Sequence, residues 1–278
     1  MRPKATTRSI YNAVADRYES TIVAKAFAKF AAAVIPTANP QGHEHTLDIG
    51  TGTGILARLL APRVRQVIGI DLAPQMIAAG KRLSLPENVA LQEADAEKLP
   101  FEKHTFDLAV SSFGLNATTP HRVLPEIHRV LKPEGVFAFH EWDDLHPLDD
   151  LIMDVLAQYM LDDDEVSDEL FHLREYLTAP RPWDNVFQSA EDYQEELANY
   201  GFQAIQVWED AAVELVISIP DFLDYKLAWT PRQLELNAMD EWRRADCLDT
   251  LRSKLQDQAD ENGDLHYAPV LFRVRAQA

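Results

Sequence analysis

The sequence predicts an α/β protein built on a parallel sheet, with helical insertions set over it. Three observations carry this. From Thr46 to Trp142 short apolar runs alternate with helical patterns, as βαβ units do. A glycine-rich turn, Gly50-Thr51-Gly52-Thr53-Gly54, follows the first apolar run. Beyond Trp142 helical stretches interrupt the strand pattern twice before it resumes near the C-terminus.

In chain order, residues 9–35 predict two helices. Tyr11, Val14, Tyr18 and Ile22 recur at near-helical spacing, and Val23, Phe27, Phe30 and Val34 begin a second set. Strands are expected at Thr46–Ile49, Val67–Ile70, Val89–Glu93, Phe106–Ser111 and Val136–His140. Helices at Ile55–Leu60, Pro74–Leu83 and His121–Leu131 separate them. Pro74 suits a first helical turn, where its missing N–H costs nothing. Lys132-Pro133-Glu134-Gly135 reads as the turn into the fifth strand.

After it, residues 147–177 are helical and acidic, and 178–188 are irregular. Ala190–Tyr200 is a helix stopped by Gly201. Phe202–Trp208 and Val213–Ile219 read as strands, Asp221–Ala259 as helix, and Ala268–Val274 as the last strand. The expected organisation is an N-terminal helical arm (1–40), a ligand-binding core (41–142), a cap insertion (143–188), core continuation (189–218), a second cap insertion (219–262) and a final core strand (263–278). In an open parallel sheet ligands bind beyond the carboxyl ends of the strands. The insertions are therefore placed to roof that crevice.

Composition narrows the function. The chain has 278 residues, 45 acidic and 26 basic, a net charge of −19 with no basic run. Nucleic-acid binding rests on Lys and Arg replacing counterions along the phosphates, so a neutral or cationic small substrate fits better. No segment reads as apolar for the roughly 20 residues of a membrane span; Lys25 and Lys29 break the longest, Ile22–Ile35. The N-terminal region lacks the apolar core of a secretory signal. Cys247 is the single cysteine, and a reducing, cytoplasmic location is expected.

The glycine turn is the most specific local feature. Alternating glycines let the backbone turn sharply and let a ligand approach without a Cβ in the way. Gly52-Thr53-Gly54-Ile55-Leu56-Ala57 formally fits a dinucleotide fingerprint, with Asp71 about 20 residues on as the ribose acid. Against that reading, the alternation begins earlier, at Gly50. Asp48, inside the preceding strand, would also repel a pyrophosphate at the helix N-terminus and welcome an ammonium group.

The stretch Leu47-Asp48-Ile49-Gly50-Thr51-Gly52-Thr53-Gly54 resembles motif I of class I S-adenosylmethionine-dependent methyltransferases, particularly the group with the ubiquinone and menaquinone C-methyltransferases. Further segments resemble the family's in order: Val67 to Met76, Ala94 to Phe101, Phe106 to Val110, and Arg129 to Gly135. The resemblance covers roughly residues 44–142, with a softer echo in Tyr11–Tyr18. Ala73 stands where many relatives have serine, and Glu134 where most have glycine.

The resemblance implies a Rossmann-like, doubly wound, mostly parallel seven-stranded sheet with helical cap insertions, and S-adenosyl-L-methionine as cofactor. Gly50, Thr51 and Gly52 would pass beneath its methionine part, and Asp48 would take the amino group. Asp71 would accept from the ribose diol, with Leu72 and Met76 packing on the adenine. Asp95 would accept from the adenine amino group while the Ala96 N–H donates to the ring. Ser111 and Ser112 would line the methionine side near the methyl. Tyr18, with Tyr11, either closes over the cofactor from the N-terminal arm or serves ordinary helix packing.

The chemistry expected is in-line methyl transfer to the oxygen, nitrogen or carbon of a small-molecule acceptor, with no covalent intermediate. His140, at the end of the fifth strand, is the candidate general base, with a satisfied core histidine as the plain alternative; His121 is weaker. No metal site is expected, since no cysteine or further histidine lies close to His43 and His45. Trp142, Trp183, Trp229 and Trp242 fall in the expected roof. The rivals are an RNA or protein methyltransferase of the same fold, an NAD(P)-dependent oxidoreductase, and a non-catalytic cofactor-binding protein. A homodimer through the cap segments stays open.

Overall fold

The computed structural model describes residues 3–143 and 146–278. Its strands are β1 (His45–Ile49), β2 (Gln66–Asp71), β3 (Val89–Glu93), β4 (Phe106–Ser112), β5 (Leu131–Trp142), β6 (Gln203–Asp210), β7 (Leu215–Ser218), β8 (Asp264–Tyr267) and β9 (Leu271–Gln277). Seven of them form one sheet in the order β3-β2-β1-β4-β5-β9-β6. The pairs among β1 to β5 are parallel. β9 inserts antiparallel between β5 and β6. The chain runs outward from β1 to β3 and then returns to β4, so the order reverses between β1 and β4, where a crevice opens at the strand ends.

The helices are α1 (Lys4–Tyr18), α2 (Ala28–Ala38), α3 (Ile55–Leu60), α4 (Pro74–Lys81), α5 (Pro120–Val130), α6 (Pro147–Tyr159), α7 (Asp168–Thr178), α8 (Ala190–Asn199), α9 (Ile219–Leu227), α10 (Thr230–Ala238) and α11 (Glu241–Gln256). One sheet face packs on α5 and α8 through Phe106, Ile127, Phe137 and Leu197. The other packs on α2 and α3 through Val34, Leu56, Leu60 and Val110. A third core belongs to the cap, where Ile22, Ile152, Phe222, Leu251 and Leu265 meet.

Three expectations need correction. The two helices expected in residues 9–35 are present as α1 and α2, but no break separates them: a π-helical stretch, Glu19–Phe27, joins them into one continuous helix. The wider turn shifts the apolar face by one residue, which explains why Ile22 and Val23 are adjacent. The Ser20 and Thr21 hydroxyls both donate to the Arg17 carbonyl there. A window of the continuous helix Lys4–Ala38 is also long and apolar enough to cross a membrane by composition, contrary to the sequence reading. Half of that window is buried inside the molecule, against cap and sheet. Finally, β7 leaves the expected core continuation and pairs with β8 as an antiparallel ribbon in the cap.

Candidate active site

The glycine turn is shaped by its neighbours. Gly50 and Gly52 have φ of +69° and +58°, a region that side chains with a Cβ rarely adopt. A Cβ on Gly50 would stand 2.5 Å from the Gly114 Cα, so the loops after β1 and β4 can touch only as glycines. A Cβ on Gly52 would meet the Met76 Cε at 3.3 Å and close the space above the loop. The Thr51 N–H donates to the Ile70 carbonyl at 2.9 Å, which ties the turn to the end of β2.

Asp71 completes that tie. Its carboxylate accepts from the Gly52 N–H at 2.9 Å and from the Ala73 N–H at 2.8 Å. Burial pushes its pKa upward, against the pull of these N–H groups. Further donors, such as a ribose diol, would suit its ionised form.

A cavity of 950 Å³ runs from this loop into the cap. Gly50, Gly52, Asp71, Leu72 and Met76 line one end, and Asp95, Ala96, Tyr11 and Tyr18 stand beside them. Ser112 lines it as well. Asp95 already has a partner, because Lys4 of α1 donates to both its oxygens, at 2.8 and 2.6 Å.

Four expected site residues are not on the cavity wall. Asp48 is 1% exposed, and the Thr51 hydroxyl donates to it at 2.5 Å. Burial pushes its pKa up to about 7. Asp48 and Thr51 thus brace the loop from behind rather than meeting a ligand. Ser111 is fully buried, donating to the Ile49 carbonyl and accepting from the Gly114 N–H. His140 is fully buried behind Phe113, with ring centroids 4.3 Å apart. Its Nε2 meets the Ser112 hydroxyl at 2.8 Å, and burial pushes its pKa down to about 3. An imidazole so reluctant to accept a proton is a poor general base, and it reaches the cavity only through Ser112.

The middle of the cavity is aromatic. Phe113 and Trp142 stack with centroids 3.9 Å apart, and Phe27 stands edge-on to Trp229 at 6.0 Å. Phe113 holds a φ of +58°, costly for a bulky side chain, and this conformation turns its ring to the wall. Trp183 instead belongs to the core under α8, and Trp242 is 87% exposed. The far end is polar and is formed by Asp149, Lys226 and Arg232 from α6, α9 and α10. The sequence reading missed these three, which share no motif.

Elsewhere, the His45 Nδ1 meets the Thr105 carbonyl. Cys247 is buried in the cap core. No three His, Cys, Asp or Glu side chains gather as a metal site among the described residues.

A doubly wound sheet, a glycine loop tied to Asp71 at the end of β2, and Asp95 beyond β3 give the chain the layout of class I S-adenosylmethionine-dependent methyltransferases, which it resembles. Residues 47–139 match the family model described as Methyltransferase domain. The chain is 36% identical over 139 residues to the ubiquinone/menaquinone biosynthesis C-methyltransferase UbiE of Rubrivivax gelatinosus, covering 49% of this chain and 55% of the relative. The chain spans about half the length of the curated relatives it matches. Among solved structures it resembles the YcgJ protein of Bacillus subtilis, with a TM-score of 0.54 and 18% identity over 89% of this chain and 97% of that one. It also resembles the [4+2]-cyclase SpnF, with a TM-score of 0.53 and 19% identity over 90% and 80% of the two chains.

Proposed function

We propose that the protein transfers the methyl group of S-adenosylmethionine to a small, largely apolar molecule held under the helical cap. The observation that carries this is the continuity of one cavity, from the Gly50–Gly52 loop and Asp71 through the Phe113–Trp142 stack into the cap. Its 950 Å³ lies at the upper end of the roughly 300–1,000 Å³ of ligand pockets, room for cofactor and acceptor together.

When bound, the cofactor supplies an electrophilic methyl on a sulfonium. The chain's own residues hold and exclude. Asp71 offers its carboxylate to the ribose hydroxyls, and the Gly52 backbone leaves room above the loop. The aromatic walls keep water away, where orientation alone can lower a barrier by roughly 7–11 kcal/mol. No side chain is assigned as general base, since His140 stands behind the wall.

Asp48 faces away from the cavity, so its charge does not decide between this cofactor and a dinucleotide. The family match over residues 47–139 favours the methyltransferase reading. The fold alone would not, because this fold also carries the SpnF cyclase. A small acceptor is favoured over RNA or protein by the roof and the net charge of −19. The buried thiol of Cys247 agrees with a reducing, cytoplasmic location.

The test is incubation of the purified protein and cell extract with methyl-labelled S-adenosylmethionine, followed by separation of small molecules from macromolecules. Label in the organic-soluble small-molecule fraction supports the proposal; label in RNA or protein, or in neither, contradicts it.

A further inference from the structure

The polar end of the cavity has a charge imbalance. Lys226, 4% exposed, pairs with Asp149, 6% exposed, and donates to the Tyr267 hydroxyl at 2.8 Å. That hydroxyl donates in turn to Asp149, also at 2.8 Å. The ammonium lies 4.1 Å from the Tyr267 ring centroid and 4.6 Å from that of Tyr225. Lys226 and Asp149 therefore neutralise one another, and each carboxylate oxygen has a partner.

Arg232 stands beside this pair without a carboxylate of its own. Its Nη1 donates to the Lys226 carbonyl at 2.6 Å, and its Nη2 meets only the Met153 sulfur, at 3.8 Å. Among the described residues no acid lies within ion-pair distance of it. Arg174 on the same wall is different: Glu235 engages it twice and Asp163 once. A guanidinium has five N–H donors, so most of those on Arg232 remain for something else. Burial disfavours its charged form, and the neighbouring Asp149 only partly opposes that. Arg232 is half-buried on the cavity wall, so its free N–H groups are open to an anion in the cavity.

We propose that the cap end of the cavity is an anion subsite, in which Arg232, with Lys226 beside it, holds a carboxylate on an aromatic or otherwise apolar acceptor. This rests on the methyl-transfer reading and names the acceptor's chemical class. The fork of Arg232 matches a carboxylate's two oxygens. The aromatic middle of the cavity would take the apolar body, with the accepting atom toward the glycine loop. The chain's overall negative charge does not oppose this, because the acids of this end are already matched: Asp149 by Lys226, and Glu235 and Asp163 by Arg174.

The test is calorimetric titration of the S-adenosylhomocysteine-loaded protein with benzoate, 2-naphthoate and 4-biphenylcarboxylate, each beside its neutral carboxamide. At least one carboxylate should bind about tenfold or more tightly than its amide. Arg232→Gln should lose that preference, and Arg232→Lys, which keeps the charge but not the fork, should keep only part of it. Both variants should bind S-adenosylhomocysteine within about twofold of the parent, which shows that the fold and the cofactor end are intact. Carboxylates that bind no better than amides overturn the proposal, as does a preference that survives in Arg232→Gln. Failure of the parent to bind S-adenosylhomocysteine would sink the cofactor reading separately; the same titrations on the unloaded protein then decide the subsite.

Discussion

Lys4 grips both oxygens of Asp95, at 2.8 and 2.6 Å, so the first helix occupies the acid that would meet an adenine amino group. Its Nζ also lies 2.8 Å from Glu97. The nearby pair Arg8–Glu93, at 2.8 Å, fastens the same helix to the core. An adenine amino group bound at Asp95 would therefore compete with Lys4 for one carboxylate.

Lys4→Ala should tighten binding of S-adenosylhomocysteine by about twofold to fivefold, the range that follows from the ~1 kcal/mol ceiling on partly exposed ion pairs. Calorimetry on variant and parent checks it. Weaker binding in the variant would mean that Lys4 helps to close the site instead.

Glu141 is a buried carboxyl with only one oxygen well partnered. Oε1 accepts from the Leu115 N–H at 3.0 Å, while Oε2 has no partner of good hydrogen-bond geometry, only the polar groups of Asn116 nearby. Burial pushes its pKa up to about 8 from an ordinary 4.5, against Leu115, Asn116 and Arg181, which favour the charge. The folded protein thus keeps a proton that the unfolded chain releases, and stability falls as pH rises from about 4.5 to about 8. In thermal melts across this range, Glu141→Gln should gain on the parent as pH rises and level off above about 8. A constant offset between the two curves would contradict this.

Glu134 is exposed with φ at +65°, which accounts for glycine being the usual residue there in the family it resembles. A left-handed conformation costs a residue with a Cβ roughly 1–2 kcal/mol, and a glycine's extra freedom costs about 0.5–1 kcal/mol in return. Its N–H donates to the Ala278 carbonyl, a bond that glycine retains. Glu134→Gly should raise the melting temperature by about 2 °C. A fall would show that the Glu134 side chain stabilises the turn.

The core was legible because its signals are local. Five apolar runs, Pro74 at a helix start and glycines at a turn each declare themselves over a few residues. The long N-terminal helix misled because a π-helical turn at Glu19–Phe27 resets the apolar phase, which looks like a break. The β7–β8 ribbon hid because β8 is four residues long and its partner lies beyond three helices.

Within the site, Gly50, Gly52, Asp71 and Asp95 were readable from the loop and strand ends that carry them. Which way Asp48 and His140 face was not, since strand alternation gives two faces without saying which meets the crevice. Asp149, Lys226 and Arg232 lie on three separate helices and meet only through the packing of the cap, so no spacing announces them.

The most direct measurement is calorimetric titration with S-adenosylhomocysteine, run beside NADH, on the parent and on Asp71→Ala. The account predicts that the nucleoside binds the parent and that NADH does not. The variant should lose at least about a hundredfold in affinity, because two hydrogen bonds to a charged group are removed. Binding of NADH with no response to S-adenosylhomocysteine would contradict it and make the glycine loop a dinucleotide site.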